Sequence, residues 1–321
     1  MTQQVFVLGL DGGGTSTVCL LADAQGRVLA RVEAPASNHR KADLREAREA
    51  LLSGIVDAAR QAGIKDSEPL RFAAVCAGLA GVDTPDDAAI LRQMLCELVA
   101  TDYLEVVNDG EIALAGALED EPGVLVISGT GSIAWAASTV GQRLRVGGWD
   151  YILGDEGSGY NIGSRVLRAV ASAHDKRLAQ TCLTEAVFAF FEVPDFNKLL
   201  GVIYHEEMTP QRIASLAPLA DEAAARKDQA AVNILNEAAK ELAALAASAA
   251  RLAKLDTRSF PVVAMGGVLL ANGFFAHAFR DAMILAAPNA HFLAPRRTPA
   301  EGAVLLALRA LDSRRNAHVQ G

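Results

Sequence analysis

The chain has 321 residues, about two domains' worth, and its 51% hydrophobic and 21% charged content lets it bury a sizeable core without staples. A net charge of −8 with scattered Lys and Arg excludes the clustered positive field of a nucleic-acid surface. The cysteines Cys19, Cys76, Cys96 and Cys182 form no CxxC pair, which argues against a zinc ribbon or a redox dithiol. Met1–Gln4 lacks a basic leader and Asp11 interrupts the apolar run Val5–Leu10, so no signal peptide is expected. No stretch approaches the roughly 20 apolar residues of a membrane helix. A soluble, cytoplasmic protein is the expectation.

Val5–Leu10 predicts a short strand. The turn Asp11-Gly12-Gly13-Gly14-Thr15-Ser16 follows, then strands at Thr17–Asp23 and Val28–Ala34 joined by the hairpin signal Ala24-Gln25-Gly26-Arg27. Three successive glycines let backbone N–H groups approach an anion closely, and the hydroxyls of Thr15 and Ser16 add donors. No GK[ST] is present and a strand follows, so this is neither a Walker loop nor a dinucleotide fingerprint. An ordinary hairpin turn is the alternative. Asn38-His39-Arg40, in the loop after the third strand, carries polar side chains suited to a polar ligand.

A helix over Asp43–Ala62 begins on a capping-box-like Asp43 and Glu46 and places Leu44, Ala47, Leu51, Ile55, Ala58 and Ala62 on one face. A strand at Arg71–Cys76, a helix over about 86–99, a strand at Leu104–Val107 and a helix after Asp109 complete the first half. In α/β sheets, ligand sites lie beyond the carboxyl ends of strands. A carboxylate at Asp109 can there accept the proton of an attacking hydroxyl. It can equally cap the helix that follows.

From Gly123 the opening pattern repeats: a strand at Val124–Ile127, the turn Ser128-Gly129-Thr130-Gly131-Ser132, a strand at Ile133–Ser138, a tight turn at Gly141-Gln142 and a strand at Leu144–Val146. Such self-similarity reads as an internal duplication, and two glycine turns at matching places can close on a polyphosphate. Gly147-Gly148-Trp149-Asp150 and Gly154-Asp155-Glu156-Gly157-Ser158-Gly159 form the densest polar and glycine cluster. Carboxylates beside an aromatic plate suit sugar hydroxyls and a pyranose face, while capping of the next helix also accounts for Asp155 and Glu156.

From Gly157 to Leu255 the chain reads as helical and alanine-rich, with Ala220–Lys254 one long helix or two. Thr209-Pro210 and Thr298-Pro299 are helix starts, the second reinforced by Glu301. Pro261–Met265 returns to a strand that ends in Gly266-Gly267, where close backbone approach suits a nucleotide or helix packing. His174-Asp175 and His205-Glu206-Glu207 lack a second metal-like cluster and read as surface.

Asp11–Ser16, Ser37-Asn38-His39, Asn108-Asp109, Ile127–Ser132, Gly147–Trp149 and Leu153–Ser158, in that order, resemble the sugar-kinase/Hsp70/actin ATPase superfamily. More narrowly they resemble the N-acetylglucosamine kinase branch of the BadF/BadG/BcrA/BcrD ATPase family, from Gly9 to about Leu308. The fold this implies is α/β: two duplicated ribonuclease H-like, actin-like ATPase lobes, each on a mixed five-stranded sheet, with ATP and sugar in the cleft between them. The lobes are expected at 1–118 and 119–321, with a helical insertion at about 175–257 and a last helix that is a candidate to pack back on the first lobe.

The resemblance implies phosphate contacts from Gly13, Gly14, Thr15, Ser16, Thr130 and Gly131, and nucleotide contact at Gly266 and Gly267. It implies that Asp109 is the catalytic base, that Asn38, Asp109, Ser132, Gly148, Trp149 and Asp155 line the sugar site, and that Asp11 holds Mg²⁺ through water. The implied activity is ATP-dependent phosphorylation of an amino sugar at its 6-hydroxyl, with N-acetylglucosamine the leading substrate, ATP and Mg²⁺ as cofactors, and a homodimer. Glucosamine phosphorylation is the close alternative. An ATPase activator of a dehydratase or reductase, carrying an iron–sulfur cluster, is disfavoured because the cysteines fall inside strand and helix patterns.

Overall fold

The structure, a computed structural model, describes residues 5–39, 43–64, 69–119, 121–204, 208–271 and 273–319, with side chains to residue 313. Arg40 and the triplet His205-Glu206-Glu207 lie outside the described residues. The chain divides into two compact units, Met1–Glu121 with Pro295–Gly321, and Pro122–Ala294.

In the first unit β1 (Phe6–Gly12), β2 (Ser16–Asp23) and β3 (Val28–Pro35) form an antiparallel meander, followed by α1 (Leu44–Gln61). The Asp43 carboxylate caps α1 by accepting from the N–H groups of Arg45 and Glu46. Then come β4 (Leu70–Phe72), β5 (Ala74–Leu79), α2 (Pro85–Leu98), β6 (Val99–Thr101), β7 (Leu104–Asn108) and α3 (Asp109–Leu118). The sheet order is β3-β2-β1-β5-β7, with β5 parallel to both β1 and β7. The single strand expected at Arg71–Cys76 is two strands in different sheets. Ala73, between them, donates its N–H to Phe6 O at 2.8 Å, and β4 pairs with β6 instead. A continuous apolar run cannot reveal where a chain changes sheets.

Alternate residues along these strands serve two layers, as period-2 side-chain geometry requires. Leu8, Leu10 and Leu21 face α1 and α2 with Leu51, Ile55, Leu91 and Leu95. Val7, Leu20 and Ala22 face α3 and the C-terminal helix Pro299–Val319, with Ile112, Ala303, Val304 and Ala307. That helix therefore packs within the first unit although it follows the second in sequence. It starts on a reciprocal cap: Thr298 N–H donates to Glu301 Oε2 (2.8 Å) and Glu301 N–H to Thr298 Oγ1 (3.4 Å). A Cβ at its Gly302 would lie 2.0 Å from Ile112 O, so only glycine lets the two helices come this close.

The second unit opens with β8 (Gly123–Ser128), β9 (Ser132–Ala137), β10 (Arg143–Gly147) and the short α4 (Asp150–Leu153). Further helices follow among the described residues: α5 (Gly159–His174), α6 (Leu183–Phe190), α7 (Phe196–Ile203), α8 (Pro210–Ala214), α9 (Ala217–Ala225) and α10 (Gln229–Leu252). Then come β11 (Phe260–Met265), α11 (Gly267–Leu270), α12 (Phe274–Ala286) and β12 (Ala290–Leu293). Sheet order is β10-β9-β8-β11-β12, antiparallel through β8–β10 and parallel from β8 to β12. It repeats the first sheet strand for strand. Ala220–Lys254 resolves into α9 and α10, broken where Lys227 takes φ 65° and Asp228 caps α10 through Ala231 N–H. Among the described residues no helix is long and apolar enough to cross a membrane.

Candidate active site

The register Gly12↔Leu79 and Leu79↔Asn108 brings the carboxyl ends of β1, β5 and β7 level, with Asp11 near one end and Asp109 just past another. Asn108 is the N-cap of α3: its Oδ1 accepts from Gly110 N–H at 2.9 Å, and its amide donates to Val82 O at 3.1 Å. The capping role that competed for Asp109 thus belongs to its neighbour. Asp109 is the first residue of the helix, with Oδ1 3.0 Å from the Gly110 nitrogen.

Asp11 and Asp109 sense each other. Burial raises the Asp11 carboxyl from its usual 3.8 to about 6, the Asp109 charge adds to the rise, and Arg31 opposes it. The folded carboxyl holds its proton more tightly than the unfolded chain does. Its contribution to stability is fully present below about pH 4 and is lost as pH rises through about 6. Asp11→Asn should therefore melt above wild type at pH 7.5, by up to about 3 kcal/mol on the pKa difference, with the gap closing towards pH 4. Paired thermal melts across this range check it. A gap that ignores pH would mean that the fold does not raise the Asp11 carboxyl.

The glycine turn is fastened to the loop after β3. A Cβ at Gly12 would lie 2.3 Å from Ser37 Oγ and 2.4 Å from Leu79 Cδ2, so the first glycine answers a steric demand. Ser37 N–H donates to Gly13 O at 3.3 Å, and Thr17 Oγ1 donates to Ser37 Oγ at 2.8 Å in a buried contact. Gly13 N–H closes the turn on Ser16 O at 2.9 Å, leaving Gly14, Thr15 and Ser16 exposed. Asn38 follows directly on Ser37 and is half-buried. The first unit therefore gathers Asp11, Gly13–Ser16, Asn38 and Asp109 at one end of its sheet.

In the second unit the Gly129–Gly131 turn leans on the start of α5: Gly159 N–H donates to Gly129 O at 2.8 Å and Tyr160 N–H to Thr130 O at 3.1 Å. Asp155 is 5% exposed, takes φ 66°, and accepts from Ser132 N–H through Oδ1 at 2.9 Å. Burial pushes its carboxyl above the ordinary range, Asp150 and Glu156 push the same way, and the Ser132 N–H opposes them. Ser158, not Asp155, caps α5, accepting from Asn161 N–H at 3.1 Å. Ser132 Oγ donates to Glu156 O at 2.8 Å, so its proton is already engaged. Gly148 and Trp149 form the turn after β10, with Trp149 exposed.

A cavity of about 510 Å³ lies within this unit, lined by Gly129, Thr130, Gln211, Asp221, Gly267 and Gly273 among others. Gly267 thus joins the Thr130 turn, while Gly266, at φ 93°, backs onto β8, where a Cβ would lie 2.2 Å from Ser128 O. Gln211, Asp221 and Gly273 escaped the sequence analysis. Asp221 Oδ1 accepts from Phe275 N–H at 2.9 Å and so fixes the start of α12 at the cavity rim. Nothing in the local sequence marks these residues, because α8, α9 and α12 meet only through tertiary packing.

The family model of the BadF/BadG/BcrA/BcrD ATPase family matches residues 8–307. The chain is 32% identical over 302 residues to an N-acetylmuramic acid/N-acetylglucosamine kinase of Clostridium acetobutylicum, covering 94% of this chain and 98% of that one. It is also 32% identical over 316 residues to an N-acetyl-D-glucosamine kinase of Dictyostelium discoideum, covering 96% and 99%. A solved structure from Chromobacterium violaceum, of a protein described as a candidate N-acetylglucosamine kinase, superposes with a TM-score of 0.75 at 31% identity, covering 95% and 99%. With its two mixed five-stranded sheets and a match over nearly its whole length, the chain belongs to the BadF/BadG/BcrA/BcrD ATPase family.

Proposed function

We propose that this protein is an ATP-dependent kinase that phosphorylates the 6-hydroxyl of an amino sugar, with N-acetylglucosamine as its leading substrate. The observation that carries the reading is Asp109: a carboxylate at the carboxyl end of β7, relieved of capping by Asn108 and coupled to Asp11 beside a glycine turn. In the reaction the bond from the γ-phosphorus to the ADP oxygen breaks, a bond to the sugar O6 forms, and Asp109 takes the hydroxyl proton. Gly13–Ser16 and Thr130-Gly131 are assigned to the ATP phosphates, and the cavity beside Thr130 and Gly267 to the rest of the nucleotide. Asn38, Ser132, Gly148, Trp149 and Asp155 are assigned to the sugar. The relatives' action on N-acetylated amino sugars supports the acetylated substrate.

Mg²⁺ fits the first unit's chemistry. Two mutually repelling carboxylates suit a divalent cation. No group of three His, Cys, Asp or Glu side chains that could hold a metal occurs among the described residues. Water and phosphate oxygens would complete the shell, as Mg²⁺ usually arranges. Asp11 is the residue that would hold it, and the ion would supply charge neutralisation at the phosphates.

A coupled ATPase panel over N-acetylglucosamine, N-acetylmuramic acid, glucosamine, N-acetylmannosamine and glucose tests the function. The highest kcat/KM is expected for N-acetylglucosamine. A higher value for glucosamine would move the substrate to the free amine, and ATP turnover indifferent to every sugar would remove the kinase reading. Thr130→Val should raise the KM for ATP about tenfold, the scale of one lost hydrogen bond to a charged oxygen, and leave sugar binding measurable by calorimetry. An effect confined to sugar binding would reassign the turn.

A further inference from the structure

Trp149 is 57% exposed and stands at the N-cap of α4, a helix with no buried residue and no side-chain cap. A side chain so placed keeps its rotamer freedom unless a neighbour holds it. Arg145, on β10, supplies that hold. Its Nε donates to Gly147 O at 3.0 Å, its Nη2 donates to Gly148 O, and its Cζ lies 4.7 Å from the Trp149 ring centre.

The turn is shaped around this guanidinium. Gly147 and Gly148 take φ 74° and 71°, a conformation that side chains resist. A Cβ at Gly148 would also lie 3.1 Å from Arg145 Nη2 and 2.6 Å from Ile133 Cδ1. A planar guanidinium can bind two carbonyls with its edge while its face lies against an aromatic ring, which a lysine ammonium cannot do. The exposed remainder of the indole is left for a partner.

We infer that Arg145 is a positioning residue for ligand recognition, setting Trp149 as a preformed plate for the pyranose C–H face. The inference rests on the assignment of Trp149 to the sugar site. A ring held in advance loses less freedom on binding than a mobile one, so removing the hold weakens sugar binding and leaves the chemical step alone.

The chain has two tryptophans. The other, Trp135, is 5% exposed and its Nε1 has no hydrogen-bond partner among the described residues, so Trp135→Phe isolates the Trp149 emission without breaking a bond among them. In that background Arg145→Met should make Trp149 more readily quenched by acrylamide before any sugar is added. The KM for N-acetylglucosamine should rise about tenfold, with kcat and the ATP KM within about twofold, since only a preset contact is lost. Arg145→Lys should fail to restore either readout, and it carries the same measurements if Arg145→Met does not fold. Quenching unchanged in the Arg145 variants overturns the inference. An unchanged sugar KM in Trp149→Ala overturns the plate assignment beneath it, independently of how Arg145 holds the ring.

Discussion

Asp109→Asn should lower kcat by roughly 10²- to 10⁴-fold, the scale of a lost general base, while sugar affinity changes far less. Asparagine keeps the shape of the side chain and its Oδ1 can still accept from Gly110 N–H, now 3.0 Å away. What it cannot do is take a proton. Because Asn108 caps α3, the substitution leaves the helix start intact, and the melting temperature should not fall. Removing the Asp109 charge also removes one of the causes that raise the Asp11 carboxyl, so the pH dependence of stability should weaken together with turnover. Single-turnover kinetics and melts on one preparation check both. Near-normal turnover would return Asp109 to a structural role.

The second large effect is expected at Asp155. An ionised carboxylate can accept charge-assisted hydrogen bonds from two neighbouring sugar hydroxyls, each worth about 1.5–3 kcal/mol. Asp155→Ala should thus raise the sugar KM by about one to two orders of magnitude with the ATP KM nearly constant. The structure adds a cost of another kind. Asp155 Oδ1 is the acceptor for Ser132 N–H at 2.9 Å, and the alanine variant strands that donor in a buried place. A loss of about 1–3 kcal/mol of stability should accompany the kinetic change.

Asp155→Asn separates the two effects. It keeps an oxygen for Ser132, tolerates the left-handed φ of 66°, and sheds the repulsion from Asp150 and Glu156. Its melting temperature should hold while the sugar KM still rises. Kinetics and melts on both variants decide the matter: an asparagine variant with wild-type sugar KM would leave Asp155 as the strut beneath the Ser132 turn.

Much of the architecture was legible in the chain because it rests on local rules. The strand–glycine turn–strand–turn–strand opening occurs twice, and hairpins depend on neighbouring residues, so the duplicated meanders β1–β3 and β8–β10 follow from pattern alone. The starts of α1, α8 and the C-terminal helix were readable for the same reason, since a cap needs only a side chain within three residues of its N–H. Asp109 and Asp155 were also visible, as carboxylates beside glycines, but the local pattern left both capping and ligand contact open.

Tertiary structure decided the rest. Which side chain caps a helix depends on which neighbour reaches the first N–H groups, and that Asn108 and Ser158 take this place is visible only once the chain is folded. The split of Arg71–Cys76 into β4 and β5 is a choice among distant partners that a continuous apolar run leaves degenerate, and the return of the last helix to the first unit, expected from the resemblance, has no local signal of its own. The cavity at Thr130 and the guanidinium behind Trp149 are further from local reach. One is walled by helices far apart in sequence; the other depends on two glycines turning a strand end back over its own side chain. A sequence states what each residue can donate, accept or bury; only packing states which partner it meets.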